Sequence, residues 1–247
     1  MPIKFEIKSH DGPGRFGKLN GEITPFIIDR EKYNIIPPQA SPYNVSWDLS
    51  NWSVKETINK SKKDIGDLDI GVIQGGKYLD LRLECAQKLE DIGYTGFLIG
   101  SGDELLLHPK NLVKLIVNLR EILSPNAYLI YPFAEPSYIP LLCYMGIDGF
   151  LIDSAKFYSY LNVLMTPTKN YNLNIYPLFE GMTRDDLEKY NKNTLDFTLR
   201  EVREHMKNRS LRNLVEERAN TSPQNKTALK ILDKEYSHYL LKNQHLF

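Results

Sequence analysis

The chain has 247 residues, room for one large α/β unit, with 31 Lys and Arg set against 31 Asp and Glu. That balance excludes a global basic field of the kind that drives nonspecific nucleic-acid binding, and leaves only a local basic patch open. There is no apolar run long enough to span a bilayer, no signal-peptide core at the amino terminus and no metal-ligand spacing around the two cysteines, so a cytoplasmic protein without membrane or metal is expected.

Lys4–Lys8 alternate polar and apolar residues, the pattern of a half-buried strand. His10-Asp-Gly-Pro-Gly14 is a turn cluster, Arg15–Leu19 a second strand, Asn20-Gly21 a type I′ hairpin signal and Ile23–Ile28 the return strand. The chain therefore opens with a β-hairpin. Residues 34–66 lack sustained periodicity: Pro37-Pro38, Pro42, Val45–Leu49 and the lysine-rich Lys55–Lys63 read as a loop with one short strand and one helix. Trp47 and Trp52 read there as packing anchors, with base stacking as the alternative.

Ile70-Gly-Val-Ile-Gln-Gly-Gly76 is the most informative stretch. An apolar strand ends in an amide and two glycines, and a planar amide at a strand end suits a nucleobase edge because it offers a donor beside an acceptor. The plain reading is a βα turn. The same grammar recurs at Gly96-Phe-Leu-Ile-Gly-Ser-Gly102 and at Gly149-Phe-Leu-Ile-Asp-Ser154, where it ends in a carboxylate. Leu79, Leu81, Leu83, Ala86 and Leu89 form a helical pattern between the first two runs, and Leu112, Leu115, Ile116, Leu119 and Ile122 another after the second. A strand at Tyr128–Tyr131 and a helix carrying Ile139, Leu142, Cys143 and Met145 follow. Strand and helix alternate as βαβ crossovers on a parallel sheet, whose ligands bind at the carboxyl ends of the strands. Gln74, Gly100 and Asp153 fall at those ends. Asp103, Glu104 and Glu135 are further acids nearby, plainly helix-capping or surface charges and, functionally, groups that orient a substrate.

After Asp153, Tyr158–Tyr160 precede a strand and turn at Val163–Thr168, and residues 171–182 read as irregular. From Thr183 the chain is helical, with Thr183 and Asp186 in a capping box where Asp replaces the usual Glu. Leu195–Met206 and Leu211–Ala219 are amphipathic, and Ser222-Pro223 starts the last helix. The basic residues from Arg200 to Arg218 are interspersed with acids and read as a solvated face.

In order along the chain, Phe5-Glu-Ile-Lys, Asp11, Gly14-Arg-Phe-Gly-Lys-Leu19, Thr24-Pro25, Gly71-Val-Ile-Gln-Gly-Gly76, Tyr78, Asp80-Leu-Arg82, Gly96-Phe-Leu-Ile-Gly100, Gly146-Ile-Asp148, Asp153-Ser-Ala155 and Met165-Thr-Pro167 resemble the tRNA-guanine transglycosylase superfamily in its archaeal branch. Leu211–Ala219 and Ser222-Pro223 resemble the helical end of its catalytic domain. The resemblance implies an α/β fold, a reduced (β/α)8 TIM-barrel-like fold with an N-terminal β-hairpin and a helical C-terminal portion. It implies a single domain over residues 1–247: hairpin 1–33, shortened insert 34–66, βα core 67–170 and helical end 171–247. It also implies that Gln74, Gly75, Gly76, Gly100, Ser101 and Gly102 hold a 7-deazaguanine and that Asp153 is the counterpart of the nucleophile. Asp103 and Glu135 are assigned a possible part in substrate orientation.

The departures from the family pattern are equally specific. Only residues 38–70 separate the hairpin from the Gln74 strand, where the family has more barrel and an Asp-Ser-Gly motif bearing its proton-transfer aspartate. The region where the family's zinc cysteines fall, Tyr176-Pro-Leu-Phe-Glu-Gly181, has none, and the later ligand position reads Asn193. Phe133-Ala-Glu-Pro136 replaces glycines after the Tyr128–Tyr131 strand. Lost base exchange is compatible with the archaeosine-synthase branch, in which lysine adds to the nitrile of preQ0 already in tRNA. The expectation is a lysine-transferring subunit acting on preQ0-tRNA and free lysine, without cofactor. It would be part of a homo- or hetero-oligomer with an RNA-binding subunit. The alternative is a non-catalytic paralogue that helps a catalytic partner bind tRNA.

Overall fold

The computed structural model describes residues 4–29, 33, 35, 41–64, 70–102, 104–151, 153–178 and 181–242, with Asp153 and its neighbour Ser154 opening a helix and Asp153 described by its backbone alone. Asp103 lies outside the described residues.

Three strands, β1 (Phe5–Asp11), β2 (Gly14–Leu19) and β3 (Glu22–Thr24), form an antiparallel sheet in chain order. Asn20 and Gly21 make the β2–β3 turn with φ of 48° and 93°, the positive values that a type I′ turn requires. The expected return strand Ile23–Ile28 is split at Pro25, which has no N–H to give a ladder, and its second half leaves for a different sheet. That half is β4 (Phe26–Ile28), which pairs in parallel with β8 (Gly149–Leu151).

The segment expected to be mostly loop contains an 18-residue helix, α1 (Trp47–Asp64). Its buried stripe is small and polar, Ser50, Ser53, Thr57 and Ser61 beside Val54 and Ile58, so a hydrophobicity count underestimates it. Trp47 and Trp52 are 43% and 50% exposed, which overturns their reading as packing anchors. They point away from the stripe that packs.

β5 (Ile70–Ile73), α2 (Leu79–Ile92), β6 (Gly96–Ile99), α3 (Pro109–Ile122), β7 (Tyr128–Tyr131), α4 (Ile139–Tyr144) and β8 alternate as expected, with a 3-10 turn at Glu104–Leu107. The sheet order is β4-β8-β7-β6-β5, every pair parallel. The first strand thus lies beside the last, as in a barrel, and the order is that of a ring opened between β4 and β5. This is where the sequence is short. Ile35 adds a single parallel bridge to Ile70 at the β5 edge.

Side chains alternate across the sheet. Ile28, Ile70, Val72, Leu98, Tyr128, Ile130 and Leu151 fill one face. Ile73, Phe97, Ile99, Leu129, Tyr131 and Phe150 pack on the other, against the helices. Each such aliphatic or aromatic side chain contributes on the order of 1.5–3 kcal/mol. The antiparallel sheet closes the amino ends of the parallel strands: Phe5 meets Tyr128 edge-on at 5.0 Å, and Arg15 reaches Asp148 just before β8. Asp148 is fully buried between Arg15 and Arg120 and also accepts the Leu129 N–H at 2.8 Å.

Beyond β8 come α5 (Asp153–Tyr160), β9 (Val163–Met165) and β10 (Asn170–Asn172), the last two paired antiparallel within a region read in part as irregular. Then follow α6 (Arg184–Lys207), α7 (Leu211–Ala219), α8 (Pro223–Glu235) and α9 (Ser237–Lys242), so Ser222-Pro223 does not open the last helix. Thr183 and Asp186 form the expected capping box, and the Ser222 hydroxyl accepts from the Asn225 N–H. Asp11, at the end of β1, accepts the Leu211 N–H at 2.7 Å and ties the opening sheet to the start of α7.

Candidate functional site

The carboxyl ends of β5, β6, β7 and β8 form a continuous strip opposite the end closed by Arg15 and Asp148. The β5–β6 register, Ile73 beside Ile99, sets Gln74 next to Gly100, whose N–H donates to the Ile73 carbonyl at 2.9 Å. The backbone N–H of Gln74 donates to the Cys85 sulfur at 3.4 Å. Burial pushes the Cys85 thiol up to about 12, so it is inert packing.

Gln74 is 1% exposed and its Nε2 has no hydrogen-bond partner among the described residues. A buried amide donor left unmade costs about 1–3 kcal/mol. A ligand acceptor that satisfied it would recover that energy. Gly100 is what makes room: a Cβ there would stand 3.1 Å from Gln74 Oε1 and 2.9 Å from the Ile73 carbonyl oxygen. Gly75 and Gly76 follow at φ of 138° and 55°, turning the chain from strand into helix with backbone that side chains rarely adopt.

The next turn is strained and anchored. Ser101 holds φ 49°, unusual for a residue with a side chain, and its hydroxyl donates to the Ser41 carbonyl at 2.8 Å. Tyr131, the last residue of β7, donates its hydroxyl to the Gly102 carbonyl. Along β7 to β8, the Ser154 hydroxyl accepts the Ala134 N–H at 3.3 Å, which sets the Glu135 segment beside the start of α5. Phe133 packs on Phe157 and Tyr158 with centroids 5.6 and 5.3 Å apart.

Glu135 is held above the ordinary carboxylate value by burial, against hydrogen bonds from Ser137 and Tyr158 that favour its charged form. The Tyr158 phenol is pushed up, first by burial and then by the Glu135 charge. A carboxyl so placed is a better proton acceptor than a solvated one. Asp153 opens α5 one residue before Ser154.

Gln74, Gly75, Gly76, Gly100, Ser101 and Gly102 thus come together on adjacent strand ends, and Glu135 and the Asp153 backbone continue the same rim. The sequence reading gave no role to Arg82. It is 2% exposed, donates Nε to the Gly76 carbonyl at 2.6 Å and Nη1 to the Gly100 carbonyl at 2.8 Å, and so fastens both glycine turns to α2. The signal was an arginine three, four and seven residues before Cys85, Ala86 and Leu89, in the buried stripe of the helix. A zinc ion does not fit this chain: its cysteines, Cys85 and Cys143, are free and buried in α2 and α4, remote in sequence from residues 163–193.

The sequence matches the queuine tRNA-ribosyltransferase family over residues 36–192. Archaeosine synthase of Methanocaldococcus jannaschii is 30% identical over 182 residues, 74% of this chain and 29% of that protein. The tRNA-guanine(15) transglycosylase of Pyrobaculum aerophilum is 29% identical over 128 residues, 48% of this chain and 26% of that protein. That of Pyrococcus furiosus is 27% identical over 260 residues, 92% of this chain and 43% of that protein. The chain spans less than half the length of each.

Proposed function

The chain belongs to the queuine tRNA-ribosyltransferase, or tRNA-guanine transglycosylase, family, and from that premise we propose that it modifies tRNA in archaeosine formation by adding lysine to the nitrile of preQ0. The observation that carries the proposal is the Gln74 amide, its Nε2 unpartnered and its carboxamide seated against Gly100, on a rim that continues to Glu135 and Asp153. Gln74 reads the deazaguanine edge and the Gly100–Gly102 backbone supports its plane.

In this reading the ε-amino nitrogen of lysine attacks the nitrile carbon. One carbon–nitrogen bond forms, one π bond of the nitrile opens, and a proton passes from the attacking nitrogen to the former nitrile nitrogen, giving an amidine. Lysine must first lose its ammonium proton. Glu135, raised by burial and linked to Tyr158, is the acceptor, and Asp153 orients the ammonium. The glycosidic bond is untouched, so no second aspartate is needed.

The near-complete burial of Gln74, with Ser41 drawn onto Ser101, favours a second reading, a non-catalytic paralogue that supports a partner in binding tRNA. Titration of preQ0-tRNA and unmodified tRNA into the protein separates the two. The lysine-transfer reading expects preQ0-tRNA to bind more tightly, with the preference lost in Gln74→Ala. Equal affinity for both tRNAs in the wild type would support the scaffold. Among the described residues β4 and β5 end the sheet on either side of the gap, β5 carrying only the single Ile35 bridge, and this leads us to propose also that a second chain covers these edges. Sedimentation as a monomer with full activity would contradict that.

A further inference from the structure

We propose that the cleft between the first turn of α2 and α3 is a phosphate-binding site, which adjoins the rim that carries Gln74 at Gly76. The cleft has a volume of about 260 Å³ and is lined by Tyr43, Lys77, Asp80, Arg82, Asn111 and Lys114, among others. Among the described lining residues three cations face one acid.

Arg82 supplies the decisive observation. Its Nε and Nη1 bond the Gly76 and Gly100 carbonyls, while Nη2 is buried with no partner among the described residues. The groups whose charge would act on it most are Tyr131, Tyr43 and Cys85, with no carboxylate among them, and burial pushes the Cys85 thiol up to about 12. Burial lowers the guanidinium only to about 10, so the cation persists at pH 7. A buried, uncompensated guanidinium is costly, and an anion in the cleft offsets that cost.

The other groups fit an oxyanion. Helix α2 has 14 residues, and its N-cap, Tyr78, makes no side-chain cap, so the first N–H groups of the helix lack that partner. Asn111 donates to the Tyr43 oxygen at 2.8 Å, which leaves the Tyr43 proton available for an acceptor. Lys114 is exposed on α3 one turn from Asn111, and Lys77 donates to Asn44 at 2.7 Å on the opposite wall. A fork of guanidinium nitrogen, ammonium, phenol and helix N–H groups matches the oxygens of a phosphate group. The phosphate is either free or a diester of an RNA backbone.

Phosphorus NMR titration with inorganic phosphate tests the site. Lys114→Ala, which alters an exposed side chain, should weaken phosphate binding about tenfold, in line with loss of one charge-assisted bond. Asp80→Asn, which removes the only acid among the described lining residues, should tighten it. Gln74→Ala should leave it unchanged, which separates this site from the proposed base site. A short single-stranded RNA that displaces phosphate from the wild type identifies the diester as the source, and failure to displace it identifies free phosphate. No saturable phosphate binding, or the same affinity in wild type, Lys114→Ala and Asp80→Asn, overturns the proposal.

Discussion

Gly100→Ala probes the proposed base site through a residue that cannot itself touch a ligand by a side chain. The added Cβ would lie 2.9 Å from the Ile73 carbonyl oxygen and 3.1 Å from Gln74 Oε1. The first contact is with backbone inside the β5–β6 pairing and forces a shift, costing about 1–3 kcal/mol as overpacking does. For a chain of this size that lowers the melting temperature by roughly 2–10 °C. The second contact turns the Gln74 carboxamide away from its seat. If Gln74 contributes on the order of 1–3 kcal/mol of base discrimination, preQ0-tRNA binding weakens roughly 10- to 100-fold. Gln74→Ala should give the same loss without most of the thermal penalty. Because Gly100→Ala acts through Gln74, the double variant should bind about as weakly as Gln74→Ala alone. Isothermal titration at a temperature where all three variants are folded reads these values. Unchanged affinity in Gly100→Ala, or losses that add in the double variant, would refute the reasoning.

Glu135→Gln should abolish lysine transfer while retaining tRNA binding, measured by single-turnover assay and titration. Because the folded pKa of Glu135 is raised above its ordinary 4.5, the fold binds the proton more tightly than the unfolded chain. Stability therefore falls as pH rises through that window, and the loss persists above it. Glu135→Gln should then be more stable than wild type at neutral pH and lose that advantage below about pH 4, as urea melts at several pH values would show. Asp148→Asn leaves Arg15 and Arg120 facing each other in the interior and should cost about 3–5 kcal/mol, read by thermal melting. Thr183→Ala removes the hydroxyl half of an exposed capping box, leaving the backbone N–H of residue 183 on Asp186, and should cost about 0.5–2 kcal/mol without affecting tRNA binding.

The alternation from Ile70 to Leu151 was legible because the strands are short apolar runs ended by Gln74-Gly75, Gly100, Pro132 and Asp153, and α2 and α3 carry 3.6-residue stripes between them. The same reading put Gln74, Gly100 and Asp153 at strand ends, with Glu135 among further acids nearby, since parallel strands deliver their carboxyl ends to one side. What the sequence concealed has physical causes. The packing stripe of α1 is Ser50, Ser53, Thr57 and Ser61, whose small side chains let α1 approach α2 closely but carry no hydrophobic signal. The passage of Ile23–Ile28 between two sheets depends on Pro25, and the pairing of β4 with β8 is a contact over more than a hundred residues that no local pattern encodes. Arg82 received no role from the sequence, because its reason for burial, two carbonyls on separate glycine turns, exists only in the fold.

The central claim is that a deazaguanine held by Gln74 receives lysine without leaving its ribose. Nucleoside mass spectrometry tests it most directly, on preQ0-tRNA incubated with isotope-labelled lysine and the protein isolated from its own cells with its bound subunits. The account expects one labelled lysine on the preQ0 nucleoside, no released base, and no label when the protein carries Gln74→Ala or Asp153→Asn. Release of free preQ0, or labelling that survives both substitutions, would contradict it.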